Sequence, residues 1–556
     1  MKKFQSYRSL ILLIIALVIL NILASKFFGR FDLTQDHRYT LSPAALKIVE
    51  DLEEPVMIDV FLQGDFPPEF RRLRNETRQL LEEFAAYNPN IKFDFIDPLA
   101  EGDDARKVAG EFYKMGMTPA RVNVKENGKT SEAIIFPWAI ANYGKKTVKI
   151  PLLKNKIGTT DEERVTNSVQ QLEYDFADAL SRLIYPRKKK IAIMRGNGEL
   201  PDARIADFIK TIQQYYYIAP FTLDSAAVNP QKTLQELKDY DLIIEAKPTE
   251  AYTEKEKYVL DQYSMNGGKS MWLVDQVAME NDSLFNPSGT AFALPRNLNL
   301  SDFFFSYGIR INPELVNDIY SAPIILATGS GNNTRFNPFP WFYSPLTSSP
   351  NDHPIINNIE AVKFEYASPI DTLKNDIKKT ILLSSSPQTK LEGVPRQISL
   401  EIVGKKPNLA SYTSGEQPLA VLLEGKFTSV YKNRVKPFKL ENDKTLSEPT
   451  KMLVISDGDV IKNDLQKGVP QELGFERYTG NTYGNKEFLL NSVNYMLDDT
   501  GLIDIRSKEI KISFLDPEKT LAEHEKWQLL NLLLPLVLLG IFAFLFNFFR
   551  KRKYTR

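Results

Sequence analysis

Residues 529–549 read LLNLLLPLVLLGIFAFLFNFF, an uncharged apolar run followed at once by RKRK. About 20 apolar residues at 1.5 Å rise match the hydrocarbon thickness of a bilayer, so the run predicts a membrane-spanning helix. Pro535 is tolerable within it, because local adjustments satisfy the freed carbonyl. The basic cluster at residues 550–553 predicts a cytoplasmic C-terminal tail by the positive-inside bias. At the other end, residues 9–25 read SLILLIIALVILNILAS after MKKFQSYR. This pattern fits a cleaved signal peptide or an uncleaved anchor. Leu23-Ala24-Ser25 is a poor cleavage site and the run exceeds a usual signal core, which favours the anchor. The expected topology has one transmembrane helix at each end and both termini in the cytoplasm. The main body then lies on the far side of the inner membrane, the periplasm in a Gram-negative cell.

The 556 residues exceed what one core holds and predict several domains. Lys+Arg and Asp+Glu both number 70, yet residues 1–30 and 550–556 carry ten basic residues and no acid. The body is left mildly acidic, which argues against nucleic acid as a partner. The chain has no cysteine, which excludes disulfides, thiol catalysis and cysteine-based metal sites.

TLSPAALKIVEDLEEP predicts a helix capped by Ser42 with Pro43 in its first turn. VMIDVFL and IKFDFI read as strands, PPEFRRLRNETRQLLEEFAAYNPN and DARKVAGEFYKMG as helices, and ARVNVKENGKTSEAIIF as a hairpin turning at Asn127-Gly128. The order βαβαββ predicts a thioredoxin-like domain, with Thr118-Pro119 where that fold places its cis-proline turn. QGDFPPEF stands where the redox motif would be, so no thiol chemistry is expected. Residues 161–185 carry one apolar stripe and predict a linking helix. From Lys190, strands alternate with helices through KSMWLVDQ, which predicts a parallel-sheet α/β body. Residues 277–350 show few periodic segments. AVKFEYAS, TILLSSSP, LAVLLEGKFTSVY and KMLVISDGD read as short strands of the same body, before the helix EFLLNSVNYMLDD. The expected division is tip and anchor (1–30), thioredoxin-like domain (31–158), linking helix (159–189), α/β body (190–500), membrane-proximal segment (501–527), transmembrane helix (528–549) and basic tail (550–556).

IAIMRGNGELPD puts Gly196 and Gly198 between a strand and a helix, where a phosphate loop would lie. A dinucleotide loop needs a third glycine, and Pro201 stands in its place. Glu199 would repel a bound phosphate. The loop is expected to turn a strand into a helix and at most to line a cleft with Gly196, Asn197, Gly198, Glu199, Asp224 and Asp275. His37, His353 and His524 are too dispersed for a triad or a metal pair. Ser456-Asp457-Gly458-Asp459 lacks EF-hand spacing and reads as a turn. Amidotransferase-like domains share the α/β pattern but need a nucleophilic cysteine. No catalytic residue, metal or cofactor is therefore expected.

Three stretches carry a resemblance. DLTQDHRYTLSPAALKIVEDLEEPVMIDVFL resembles the opening of the auxiliary components of a group of ABC transporters. VTNSVQQLEYDFADALSRLIYPRKKKIAIMRGNGEL resembles their mid-region, where a GxGE turn follows a strand and here holds Asn197. DYDLIIEAKPTEAYTEKEKYVLDQYSMNGGKSMWLVDQ resembles a domain they share with some intraflagellar-transport subunits. Over nearly its whole length the chain is similar to the gliding-motility-associated auxiliary components, the GldG family of Bacteroidota. The resemblance implies a non-catalytic subunit partnered by a GldF-like permease and a GldA-like ATPase, and transfers no ligand residue. The absence of a Walker motif and the two expected spans agree with a partner subunit whose body meets periplasmic or outer-membrane proteins. A ligand-binding protein with a cleft near residues 196–199, and an enzyme on the same sheet, are the alternatives.

Overall fold

The computed structural model describes residues 12–21, 40–99, 105–126, 129–154, 157–329, 331–347, 349–508 and 517–554. Residues 40–508 belong to one compact unit and residues 517–554 to a second.

The first unit opens on α1 (Pro43–Glu50), whose Ser42 cap accepts from Ala45 N at 3.2 Å. β1 (Val56–Val60) and β2 (Ile91–Phe95) run parallel, joined by α2 (Pro68–Tyr87), which buries Phe70, Leu73, Leu81 and Phe84. α3 (Ala105–Lys114) leads to β3 (Ala120–Glu126) and β4 (Lys129–Ile135), a two-stranded ladder of their own. The expected hairpin therefore forms, but outside the main sheet. The next hairpin, β5 (Trp138–Tyr143) and β6 (Lys146–Pro151), completes a four-stranded sheet of order β2-β1-β5-β6. Ala139 and Ala141 point from β5 into the core, a period of two that fixes its register on β1. The Thr118-Pro119 peptide is trans; among the described residues the cis peptide is Val394-Pro395. Asn127 and Gly128 lie outside the described residues.

α4 (Asp161–Ile184) starts in a full capping box between Thr160 and Glu163. A helix lying on one domain buries one stripe. Here every residue from Gln171 through Leu180 is buried, because the four-stranded sheet covers one side and the α/β body the other. Glu173 on α4 joins the two ends of the unit. Its Oε1 accepts from Ser42 N at 2.6 Å, and its Oε2 lies 2.7 Å from Lys508 Nζ, which also donates to Thr40 O at 2.7 Å.

The body contains β7 (Lys190–Arg195), α5 (Asp202–Ile212), β8 (Tyr217–Thr222), α6 (Pro230–Leu237), β9 (Leu242–Ala246), α7 (Glu254–Met265) and β10 (Lys269–Leu273). These four strands are parallel, as their alternation with helices predicts. A long hairpin follows, β11 (Ser321–Thr328) with β12 (Arg335–Pro345). AVKFEYAS forms no strand beyond an isolated bridge at Lys363. β13 (Lys378–Ser384), β14 (Pro418–Gly425) and β15 (Thr450–Ile455) then join the sheet, and α8 (Asn485–Leu497) packs on it. The order is β13-β14-β15-β10-β9-β7-β8, with β15 parallel to β10, and β14 antiparallel to both β15 and β13. The expected parallel sheet is thus the larger part of a mixed seven-stranded one. Ile191, Ile244 and Leu273 face α5 and α8, while Met194, Ile243 and Trp272 face the opposite layer with α6 and α7. Burial on both faces explains the near-continuous apolar strands.

In the second unit, α9 (His524–Tyr554) contains an 18-residue stretch of mean hydropathy 2.6, within a span of 29 residues long and apolar enough to cross a membrane. Residues Leu12–Asn21 form an apolar helix of ten residues, and the rest of the expected N-terminal anchor lies outside the described residues.

Candidate functional site at the carboxyl edge of the sheet

The parallel strands lie in the order β8-β7-β9-β10-β15, so the chain reverses direction between β7 and β9. In open α/β sheets, ligands bind outside the carboxyl ends of the strands at such a reversal. Here that position holds the chain's own backbone. Asn197, buried, accepts from Thr249 N and Glu250 N at 2.9 Å each, and Thr249 Oγ1 donates to Gly198 O at 2.9 Å. Leu200 N donates to Ala246 O at 3.0 Å. The Glu199 carboxylate turns inward and accepts from Asn197 N at 3.0 and 3.2 Å. Gly198 sits at φ +73°, and a Cβ there would collide with Thr249 Oγ1. Asp224 flanks Gly196, its Oδ1 3.3 Å from where a Cβ would stand.

Beneath this loop, Glu245 on β9 is fully buried. Tyr252 donates to its Oε2 at 2.7 Å, and Oε1 has no partner among the described residues. Burial, and secondarily the Glu199 charge, pushes its pKa up to about 8. Burial likewise raises Glu199.

Asp275 stands apart from the other five expected residues, in a charged cluster beyond β9, β10 and β15. Lys247, left-handed at φ +60°, brings its Nζ 2.7 Å from Asp459 Oδ2, 3.4 Å from Asp275 Oδ2 and into contact with Glu280. Lys462 Nζ lies 2.7 Å from Asp459 Oδ1 and 3.1 Å from Glu280 Oε2. Gly458 is required beneath Lys247, whose side chain a Cβ would strike. Asp457 accepts from Asp459 N at 2.7 Å and Glu365 N at 2.5 Å. Burial opposes the Lys247 charge, but Asp275, Asp459 and Glu280 outweigh it and hold its pKa above the ordinary value. Burial also opposes ionisation of Asp459, yet Lys247 and Lys462 hold its carboxyl below the usual range. Burial, then Asp459 and Asp275, pushes Asp457 well up.

Asp275, Glu280 and Asp459 place one oxygen each within 4.8 Å of one another, a spacing that could hold a cation. The Lys247 ammonium already contacts all three and supplies that charge. A cavity of about 330 Å³ adjoins the cluster, lined by Glu280, Lys363, Asp459, Lys462 and by Ile324 of the β11–β12 hairpin. Sequence reasoning missed Lys247, Glu280 and Lys462, and took Asp457 and Asp459 for a turn. The signal was position, since Lys247 and Asp457 follow the ends of β9 and β15 closely. Among the histidines, His353 packs against the Tyr495 ring at 4.6 Å and His524 begins α9, while His37 lies outside the described residues.

Residues 188–492 match a family described as ABC-type uncharacterized transport system, and residues 35–142 match a domain of unknown function. An uncharacterized protein of Borreliella burgdorferi is 22% identical over 553 residues, covering 98% of this chain and 97% of that one. The solved mmIFT52 N-terminal domain overlaps 56% of this chain and 99% of its own, at 14% identity and a TM-score of 0.31, too loose to carry an argument. With more than half of its length inside the family match, the chain belongs to the ABC-type uncharacterized transport system auxiliary family.

Proposed function

We propose that this chain is a non-catalytic auxiliary subunit of an ABC transport complex, of the gliding-motility GldG type. A helix at each end anchors it in the inner membrane. Its body stands in the periplasm, and both termini are cytoplasmic. Its partners are a multi-span GldF-like permease and a GldA-like ATPase, with envelope proteins on the outer side. The body comprises a thioredoxin-like domain without redox cysteines, the connecting helix α4 and the larger α/β domain.

One observation carries this reading. Thr40 and Lys508, the residues from which the chain continues toward its two apolar segments, are joined by a hydrogen bond and held on Glu173. Two tethers that leave a body at one point suit a body fixed to one membrane by both ends. Fifteen residues separate Lys508 from the start of α9.

The closed loop at residues 196–199 and the self-neutralised cluster around Lys247 support a structural role for the carboxyl edge rather than turnover. The natural lack of cysteine makes the topology directly testable. Single cysteines at Val228 and Val435, both highly exposed, are expected to react with a membrane-impermeant maleimide on intact spheroplasts. A cysteine at Arg556 is expected to react only after permeabilisation. The reverse pattern overturns the reading.

A further inference from the structure

A cavity of about 740 Å³ lies between α1, α4, the Tyr215–Tyr217 turn and the segment after α8. That volume suits a small ligand, and boundaries between domains are where such sites concentrate. The walls are amphipathic. Ile48, Leu497 and Leu502 supply apolar surface. Tyr215, Tyr216, Asp178, Arg182 and Asn494 form a hydrogen-bonded polar floor.

The charge balance of the lining is the informative feature. Six cationic side chains and four carboxylates line the cavity. Every carboxylate is engaged. Asp51 accepts from Tyr185 Oη at 2.5 Å, and Asp178 accepts from Tyr215 Oη at 2.9 Å and is ion-paired with Arg182 at 3.1 Å. Asp499 pairs with Lys189 at 2.7 Å, and Asp498 accepts from Thr500 N and Ile503 N. By contrast, the ammonium groups of Lys47 and Lys188, both exposed, make no ion pair or hydrogen bond among the described residues. Uncommitted positive charge therefore remains on this cavity, and a phosphate oxygen is a matching partner for a lysine ammonium.

The position of the walls is an independent observation. Ala44 and Ile48 follow Ser42 by less than two helical turns, and Leu502 and Ile503 precede Lys508 by a similar distance. The cavity is thus built from the two chain segments that Glu173 clamps together.

We propose that this cavity binds a phosphate-bearing ligand through Lys47 and Lys188, either an anionic phospholipid headgroup or a free phosphate monoester. The lipid source rests on the membrane-anchored reading above; the phosphate chemistry does not.

The test is calorimetric titration of the detergent-solubilised full-length chain with dihexanoyl phosphatidylglycerol, glycerol phosphate and dihexanoyl phosphatidylcholine. Saturable binding of the first or second is expected, weakened about tenfold or more in a Lys47→Glu/Lys188→Glu variant and weakened by salt. Preference for phosphatidylglycerol over glycerol phosphate assigns a lipid headgroup, and equal binding assigns a phosphate monoester. Binding of neither, or binding that is indifferent to charge reversal, overturns the proposal. An unchanged thermal midpoint shows that the variant is folded. Because the chain is solubilised, the result does not depend on topology, which the cysteine labelling reads separately.

Discussion

Lys508 is paired to Glu173 at 2.7 Å, across 335 positions of sequence, and the pair closes the first unit at the point where its chain enters and leaves. Glu173 is buried and also holds Ser42 N, so one carboxylate fixes both ends. Arg506, two residues before Lys508, is buried as well and donates to Asn357 O at 3.0 Å and Glu487 Oε1 at 2.9 Å. The exit segment is therefore held by two successive charged contacts.

Glu173→Ala should destabilise the unit by about 1–3 kcal/mol, because it orphans Ser42 N and removes a charged acceptor. Hydrogen exchange should rise together at residues 41–46 and 503–508. A rise at one end alone would contradict the clamp.

Gly198→Ala should cost about 1–3 kcal/mol, since it places a side chain at φ +73° against Thr249. Gly458→Ala should be similarly damaging through Lys247. Gly404→Ala, with open space around it, should stay within about 0.5 kcal/mol. Thermal midpoints of the three variants check the ranking.

Removing the central cation of the cluster should be severe. Lys247→Met leaves buried Asp275 without its ammonium, and Glu280 and Asp459 with Lys462 alone, a loss of about 3–5 kcal/mol. Added calcium should raise the thermal midpoint of this variant and leave that of the wild type unchanged, by mass action at the vacated oxygen site. Equal shifts in both would refute the role given to Lys247.

Glu245 predicts a pH dependence. Its folded pKa of about 8 exceeds the ordinary 4.5, so the folded state holds the proton more tightly. The group costs nothing below about pH 4.5 and becomes increasingly destabilising as pH rises toward 8. Glu245→Gln should therefore be more stable than wild type at pH 8.5, with the gap shrinking toward pH 5. Denaturant midpoints at the two pH values measure it, and a gap that widens on acidification would contradict the assignment.

Much of the fold is legible where local signals agree with the tertiary outcome. Ser42-Pro43 marks α1, the capping box marks α4, and the strand–helix alternation after Lys190 marks the parallel strands. The β11–β12 hairpin is hidden by Pro323, Pro338 and Pro340, since proline reads as a strand breaker unless an edge is known. That β5–β6 rather than β3–β4 joins the first sheet rests on the pairing of β5 with β1, a tertiary relation that local periodicity does not encode. The charged cluster was obscure for the same reason. Lys247, Glu280 and Lys462 look like solvated polar residues in sequence, and only the sheet brings them within reach of Asp275 and Asp459. The glycine loop was legible in kind: Glu199 caps its own turn, in keeping with the repulsion it would offer a phosphate.

The most direct test of the subunit account is purification of the tagged full-length chain from membranes in mild detergent, with mass spectrometry of what accompanies it. The account predicts a multi-span permease and an ATPase in stoichiometric yield, with both lost when α9 is deleted. Recovery of the chain alone, or with unrelated envelope proteins, would contradict it.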